Sequence, residues 1–240
     1  MPVSYPARMT DFTGRHVMVT GATGALGGGV VSTLIARGAI VHAPMVEAQV
    51  PGHVAWRGSA SVSPTPGVAL DDEAQVSAYV AALPPLWASI HLVGGFAMAP
   101  ILDTTLAALQ QQHTLNVVTS FLCCREAVRS MRKPGLGGRI VNVAARPVLA
   151  PTGGMIAYAA AKAAVASLTQ SLAVELNAER ILVNAIIPSL IDSPANRAAM
   201  PAADHALWPT PAQIGEAVAF LASPGNQLTS GALVPVYGRV

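Results

Sequence analysis

The chain has 240 residues, of which 52% are hydrophobic and only 11% charged, enough for one large α/β domain with a sizeable core. Its net charge of +2 comes without a basic cluster, so nucleic acid is not an expected partner. Mean hydropathy is +0.49, but Lys162, Arg180, Asn184 and Pro188 interrupt the most apolar stretches, and no membrane span is expected.

The first residues, MPVSYPARMTDF, lack the apolar segment of a secretory signal, and residues 1–13 read as an N-terminal extension. Arg15–Thr20 (RHVMVT) reads as a buried strand, followed by a glycine-rich turn and a helix over Leu26–Arg37. Ala39–Ala43 makes a second strand. Ser59–Gly67 (SASVSPTPG) is expected to be a surface loop between elements. Asp71–Leu83 opens on an acidic cap and continues as a helix, and Ser89–Val93 is a strand. A long helix is expected from about Asp103 to Arg132. It carries the adjacent Cys123 and Cys124, which suit a reduced, cytoplasmic protein without a disulfide framework. Arg139–Ala144 is a strand, Met155–Asn177 a second long helix, and Ile181–Ile187 another strand. Shorter helices are expected at Asn196–His205 and Pro211–Ala222, and Ala232–Val236 closes the sheet. Strands and helices alternating this regularly predict a single Rossmann-type domain over residues 1–240. Its doubly wound parallel sheet of about seven strands has helices on both faces and ligands at the carboxyl ends of the strands.

Thr20–Gly27 (TGATGALG) stands where the first strand turns into a helix. Gly21 permits a tight turn, the small Gly24 and Ala25 let backbone approach a pyrophosphate, and Gly27 lets the helix pack closely on the strand. The helix start then offers amide donors and a positive dipole end. Tyr158 and Lys162 are four apart, on one face of the helix Met155–Asn177. A tyrosine is a poor acid at neutral pH. A neighbouring ammonium favours phenolate and is expected to bring the proton into usable range, while also holding ribose hydroxyls. With four tyrosines and two lysines in 240 residues, an accidental pair at this spacing is expected about 0.03 times. His42, His91 and His113 have no metal-ligand spacing, so no metal site is expected.

The motif TGATGALG and the run YAAAKAAVASLTQSLAVEL resemble the short-chain dehydrogenase/reductase family, and the likeness extends over essentially the whole chain. It implies an NAD(P)H-dependent oxidoreductase in which Tyr158 donates a proton and Lys162 tunes Tyr158 and holds the ribose. Asn116, in LNVVTSF, would complete the catalytic set by organising a water relay to the lysine. Most family members place a substrate-binding serine thirteen residues before the tyrosine; here that position is Ala145. Arg146, Thr152 and Trp208 join Ala145 on the expected substrate side. Thr152 is the nearest substitute hydroxyl, and Trp208 either packs a substrate lid over residues 190–210 or closes the core.

Within the family the resemblance is strongest to dihydropteridine reductases. It is carried by ALG (including Leu26) in the first loop, VGGF (Gly94, Gly95) after the fourth strand, PTGGMIAY before the tyrosine, and DSPANRAAMPAADHALWP. Those enzymes reduce a quinonoid pterin and also hold alanine in the serine position. A conjugated acceptor spreads its charge over a ring, so a carbonyl clamp matters less. The expected substrate is therefore a small, flat, conjugated carbonyl or imine, pterin-like in kind. An ordinary ketone or aldehyde reductase is the alternative enzyme reading, and a dinucleotide-sensing protein with little turnover is the alternative from another class. On the cofactor side, Met45 fills the slot at the end of the second strand where NAD enzymes usually hold an acid. Glu47 and Arg57 read as surface charges. Pro188, Ile191 and Ser193 are kept where the nicotinamide would bind, leaving the choice between NADH and NADPH open. The two long helices are more apolar than one buried face needs, which predicts a homodimer or homotetramer.

Overall fold

The computed structural model describes residues 10–240; most of the expected N-terminal extension lies outside them. Seven strands form one parallel sheet: β1 His16–Thr20, β2 Ile40–Pro44, β3 Val62–Thr65, β4 Ala88–His91, β5 Gly138–Val143, β6 Ile181–Pro188 and β7 Leu233–Val236. Their order is β3-β2-β1-β4-β5-β6-β7, the doubly wound arrangement. The chain reverses direction across the sheet between β1 and β4, which opens a crevice at their carboxyl ends.

The strand sequences dictate two cores. In β1, Val17 and Val19 face one side and Met18 the other, as the two-residue period requires. Helices α1 (Ala25–Ile35) and α7 (Pro211–Ala222) cover the first side. Val30, Val31, Leu34, Ile214 and Val218 pack there against Val41, Ile90 and Val141. Helices α2 (Glu73–Ala81), α4 (Thr119–Arg132) and α5 (Ile156–Glu175) cover the second, where Leu122, Cys123, Cys124, Ala127 and Met131 meet Ile140 and Val183. Local caps set the helix starts. Asp72 accepts from the Gln75 amide at 3.0 Å. Thr210 and Gln213 form a reciprocal capping box, with Pro211 in the first turn. Among the described residues no helix is long and apolar enough to cross a membrane.

Three expectations about elements are corrected. The Ser59–Gly67 stretch is not only loop, because its centre is strand β3. It is short and polar and holds Pro64, which only an edge strand tolerates; no apolar alternation signals it. The helix expected over Asp103–Arg132 is broken. A single 3₁₀ turn at Ile101–Asp103 precedes α3 (Leu106–His113), and a π-helical turn at Thr114–Val118 joins α3 to α4. The helix expected over Asn196–His205 is α6 (Pro194–Ala199), followed after an interruption by a 3₁₀ turn at His205–Leu207.

Candidate active site

The glycine-rich turn leaves β1 with Gly21 at φ +66°, a left-handed conformation natural to glycine. A Cβ on Gly27 would lie 2.0 Å from the Gly21 carbonyl oxygen, so helix α1 can start this close to the turn only without a side chain there. Gly24 caps α1 through its backbone alone, and the first turn carries no acid. The start of α1 thus presents amide donors and a positive dipole end to an anion. With Ala25 and Leu26 in the same first turn, the cradle fits a dinucleotide pyrophosphate.

Flanking the cradle, the Thr23 hydroxyl donates to Glu47 Oε1 at 2.9 Å, and the Trp56 indole donates to the Ala22 carbonyl at 3.0 Å. Met45, the residue in the expected selector slot, is buried, and its backbone pairs with Thr65 and Val68. The side chain standing beside the phosphate turn is Glu47. Arg57 lies on an exposed loop near Gly52. A groove of about 790 Å³ continues from Thr23 and Gly24 along α1 towards Arg37 and Pro211. It abuts the cradle and is not lined by Tyr158.

Helix α5 carries Tyr158 and Lys162 on one face. Lys162 is buried, and its Nζ donates to the Val143 carbonyl at the end of β5 at 2.9 Å. The same nitrogen lies 5.9 Å from the Tyr158 ring centre. Burial lowers the Lys162 ammonium to a pKa of about 8 and raises the Tyr158 phenol to about 12. The sequence reading expected the ammonium to pull the phenol downward. In the chain alone desolvation wins, and Tyr158 stays a neutral phenol at physiological pH.

Asn116 is fully buried in the π-helical turn. Its Oδ1 accepts from the Gly95 amide at 3.3 Å, and its Nδ2 donates to the Gly95 carbonyl at 3.2 Å and the Gln112 carbonyl at 2.9 Å. The extra residue per turn brings this side chain against the end of β4. A Cβ on Gly94 would lie 2.6 Å from Asn116 Oδ1 and 3.1 Å from Lys162 Nζ. Gly94, Gly95, Asn116, Tyr158 and Lys162 therefore converge at one place.

Ala145 is buried, and its carbonyl accepts from Val148 to close a single 3₁₀ turn, Arg146–Val148, after β5. Thr152 is exposed, with its hydroxyl donating to the Ala150 carbonyl at 3.4 Å. Among the described contacts nothing brings it to Tyr158. Phe96, which the sequence reading did not single out, meets the Tyr158 ring edge-on at 5.0 Å while remaining 62% exposed. It arrives there because Ala99 donates to Gly154 at 2.8 Å and pairs with Met155. The VGGF run marked the segment, but no periodicity announces that long-range bridge.

Beyond β6, Ser189 donates to the Tyr237 carbonyl at 2.9 Å. Ser193, nearly buried, caps α6 by accepting from Asn196 at 3.2 Å, and Asn196 also donates to the Ile191 carbonyl at 2.8 Å. Trp208 is buried against the His205 ring at 4.6 Å. The Asp192 amide donates to Pro209 at 3.0 Å, tying the two ends of this segment together.

Behind the site, His91 Nδ1 pairs with Asn142 Oδ1 at 2.8 Å and Nε2 with Ser89 at 2.7 Å. Burial lowers the imidazole to about 4 and keeps it neutral. No group of three or more potential metal ligands is found among the described residues.

The family model described as short chain dehydrogenase matches residues 15–204. The chain is 30% identical to the cis-4-hydroxycyclohexanecarboxylate dehydrogenase of Sinomonas cyclohexanicum, over 95% of this chain and 96% of that one. A shorter match, to the uncharacterized oxidoreductase YohF of Escherichia coli, is 38% identical and spans 45% of this chain and 42% of that protein. Among solved structures, a short-chain type dehydrogenase/reductase from Mycobacterium ulcerans superposes with a TM-score of 0.88. It is 24% identical, and the match covers 95% of this chain and 90% of that one.

Proposed function

Since the chain belongs to the short-chain dehydrogenase family and is an NAD(P)-dependent oxidoreductase, we propose that it reduces a flat, conjugated carbonyl or imine, pterin-like in kind, with Tyr158 as proton donor. The observation that carries this reading is Ala145. It is a buried methyl where a carbonyl-clamping hydroxyl would otherwise stand, with Phe96 set edge-on to the tyrosine. The cradle of Gly21, Gly24, Ala25 and Gly27 would hold a dinucleotide, which would supply the hydride. Tyr158 holds its proton at neutral pH and releases it to the substrate heteroatom as negative charge develops there. Lys162, fixed on Val143, supplies the positive charge that stabilises the phenolate left behind. Asn116 grips Gly95 through both its amide and its carbonyl and so fixes the segment after β4 beside the ammonium. The ketone-reductase alternative needs a substitute hydroxyl, and Thr152 is exposed and turned to Ala150.

Three finer readings accompany this one. Glu47 favours NADH over NADPH, because its carboxylate is held beside the phosphate turn by Thr23 and would repel a 2′-phosphate brought near it. The segment 190–210 covers the substrate. The outer faces of α4 and α5 pair with copies of themselves across a two-fold axis. A cleft lined by Leu109 and His113 of α3 with Ala157 and Ala160 of α5, and another lined by Phe121 and Val128 of α4 with Leu168 and Leu172 of α5, lie there. Light scattering at micromolar concentration then reads a dimer or tetramer; a monomer contradicts this assembly.

The central test measures dinucleotide oxidation against a quinonoid pterin, cyclic imines and simple ketones, for the parent and for Tyr158→Phe. The conjugated substrates are expected to turn over. The variant is expected to lose at least about a hundredfold in kcat while its dinucleotide Kd stays within threefold. Variant activity within tenfold of the parent removes Tyr158 from the mechanism.

A further inference from the structure

We propose that Arg146 anchors an anionic group of the substrate, so that the molecule reduced at Tyr158 is a conjugated acceptor bearing a carboxylate. This rests on the reductase reading above and narrows its substrate class.

Arg146 directly follows Ala145 and opens the 3₁₀ turn at the carboxyl end of β5. The turn is fixed from within, since the Arg146 carbonyl accepts from Leu149 at 3.0 Å and from Ala150 at 2.9 Å. The side chain is exposed, with its guanidinium 5.2 Å from the ring centre of Tyr237. Tyr237 follows β7, and its carbonyl takes the Ser189 hydroxyl at the end of β6. The cation is therefore held across the ends of β5, β6 and β7, the side of the sheet where ligands bind.

Of the described arginines without an ion pair or side-chain hydrogen bond, Arg146 is the one that stands at the carboxyl end of β5, beside Ala145. Arg37, Arg125, Arg129, Arg132 and Arg197 each meet an acid, and Arg139 donates to main-chain carbonyls. Among the described residues the Arg146 guanidinium has no ion pair and no hydrogen bond, and it lies against the ring of Tyr237. Of the acids in the segment after β6, Asp192 is taken by Arg197 at 2.5 and 2.8 Å and Asp204 caps the turn at His205–Leu207. A planar guanidinium with all its donors free matches a carboxylate through two parallel hydrogen bonds. The anchor also answers the loss at position 145. A substrate held by its far end can be oriented against Tyr158 without a clamp on the reacting oxygen, since remote binding energy serves for orientation.

The test compares 3-oxocyclohexenecarboxylate with its methyl ester, in the parent, Arg146→Met and Arg146→Lys. The parent should prefer the acid at least tenfold in kcat/KM. Arg146→Met should raise KM for the acid ten- to a hundredfold, leave the ester within twofold and leave dinucleotide Kd unchanged; Arg146→Lys should fall between. A second measurement needs no turnover: 3-hydroxybenzoate titrated calorimetrically into protein saturated with NAD⁺ should bind the parent at least tenfold more tightly than Arg146→Met. Acid and ester handled alike by the parent, or weakened alike in Arg146→Met, overturns the anchor. If neither compound nor any conjugated acceptor is reduced, the reductase reading fails. The titration then decides Arg146 alone, and equal binding to both proteins overturns it.

Discussion

Lys162 Nζ donates to the Val143 carbonyl at 2.9 Å, which fixes the ammonium at the end of β5, with no ion pair to an acid among the described residues. Burial therefore acts unopposed and brings Lys162 down to about 8, while the same burial holds Tyr158 up near 12. The signs give a definite pH profile. Below about pH 8 the lysine is charged and the tyrosine protonated, the pair needed for proton donation. Above about 8 the lysine loses its proton first, and the phenol loses the charge that stabilises its conjugate base. The rate of reduction is expected to be flat between pH 6 and 7 and to fall towards tenfold per pH unit once past 8. Lys162→Met should abolish that break and lower kcat by about a hundredfold or more. A profile flat to pH 10 in the parent would show that the ammonium is not the titrating group.

The Thr23–Glu47 hydrogen bond sets the expectation for the cofactor. Glu47 follows Gly27 by 20 residues, the interval at which dinucleotide folds commonly place the acid that binds the ribose 2′-hydroxyl. A 2′-phosphate brought beside this carboxylate would meet like charge. Fluorescence titration should give a Kd for NADPH at least tenfold weaker than for NADH. Glu47→Gln should narrow that gap chiefly by tightening NADPH. Equal affinity for the two in the parent refutes the assignment.

Helices α1 and α7 approach each other through glycine. A Cβ on Gly29 would lie 2.5 Å from Pro211, and one on Gly215 would lie 2.6 Å from Thr33 Oγ1. Gly29→Ala is therefore overpacked and should cost about 1–3 kcal/mol, lowering Tm by several degrees for a chain of this size. Gly28, on the same helix, has open space around its Cβ position. Gly28→Ala should be neutral or stabilise by up to about 1 kcal/mol through helix propensity. Thermal unfolding without ligand distinguishes the two, and equal effects would mean the helix contact is looser than this.

The central sheet was legible in the sequence because its strands are apolar runs flanked by helical periods, and such runs signal their own burial. β3 was not, since an edge strand of Ser, Pro and Thr has neither alternation nor an apolar run to reveal it. The break at Thr114–Val118 was equally hidden. LNVVTSF continues a helical pattern without Gly or Pro, and the π turn shows itself only through the packing of Asn116 on Gly95. At the site, spacing alone paired Tyr158 with Lys162 because one helix carries both. Residues that meet through loops escaped it. Phe96 reaches Tyr158 through a bridge between segments more than fifty residues apart, and Glu47 reaches Thr23 across the end of β2. Counting along the strand pointed to Met45, which the fold buries.

Ala145 is the residue that separates the functional readings. Its side chain is buried at the start of the 3₁₀ turn after β5, so Ala145→Ser adds one hydroxyl at the position where the family resemblance places the carbonyl clamp. A simple ketone develops its charge on one oxygen, and a donor present in the transition state should raise its turnover, by as much as about a hundredfold if well aligned. A conjugated acceptor spreads that charge over a ring and gains little from the same donor. It is also flat, and the added oxygen takes space that the methyl leaves open. Kinetics of the variant should therefore show ketone reduction rising while reduction of a quinonoid or imine substrate stays level or falls. A protein that only senses the dinucleotide would turn over neither class in either form. If both classes improve together, the alanine is no adaptation to a conjugated acceptor, and the pterin-like reading loses the observation that carries it.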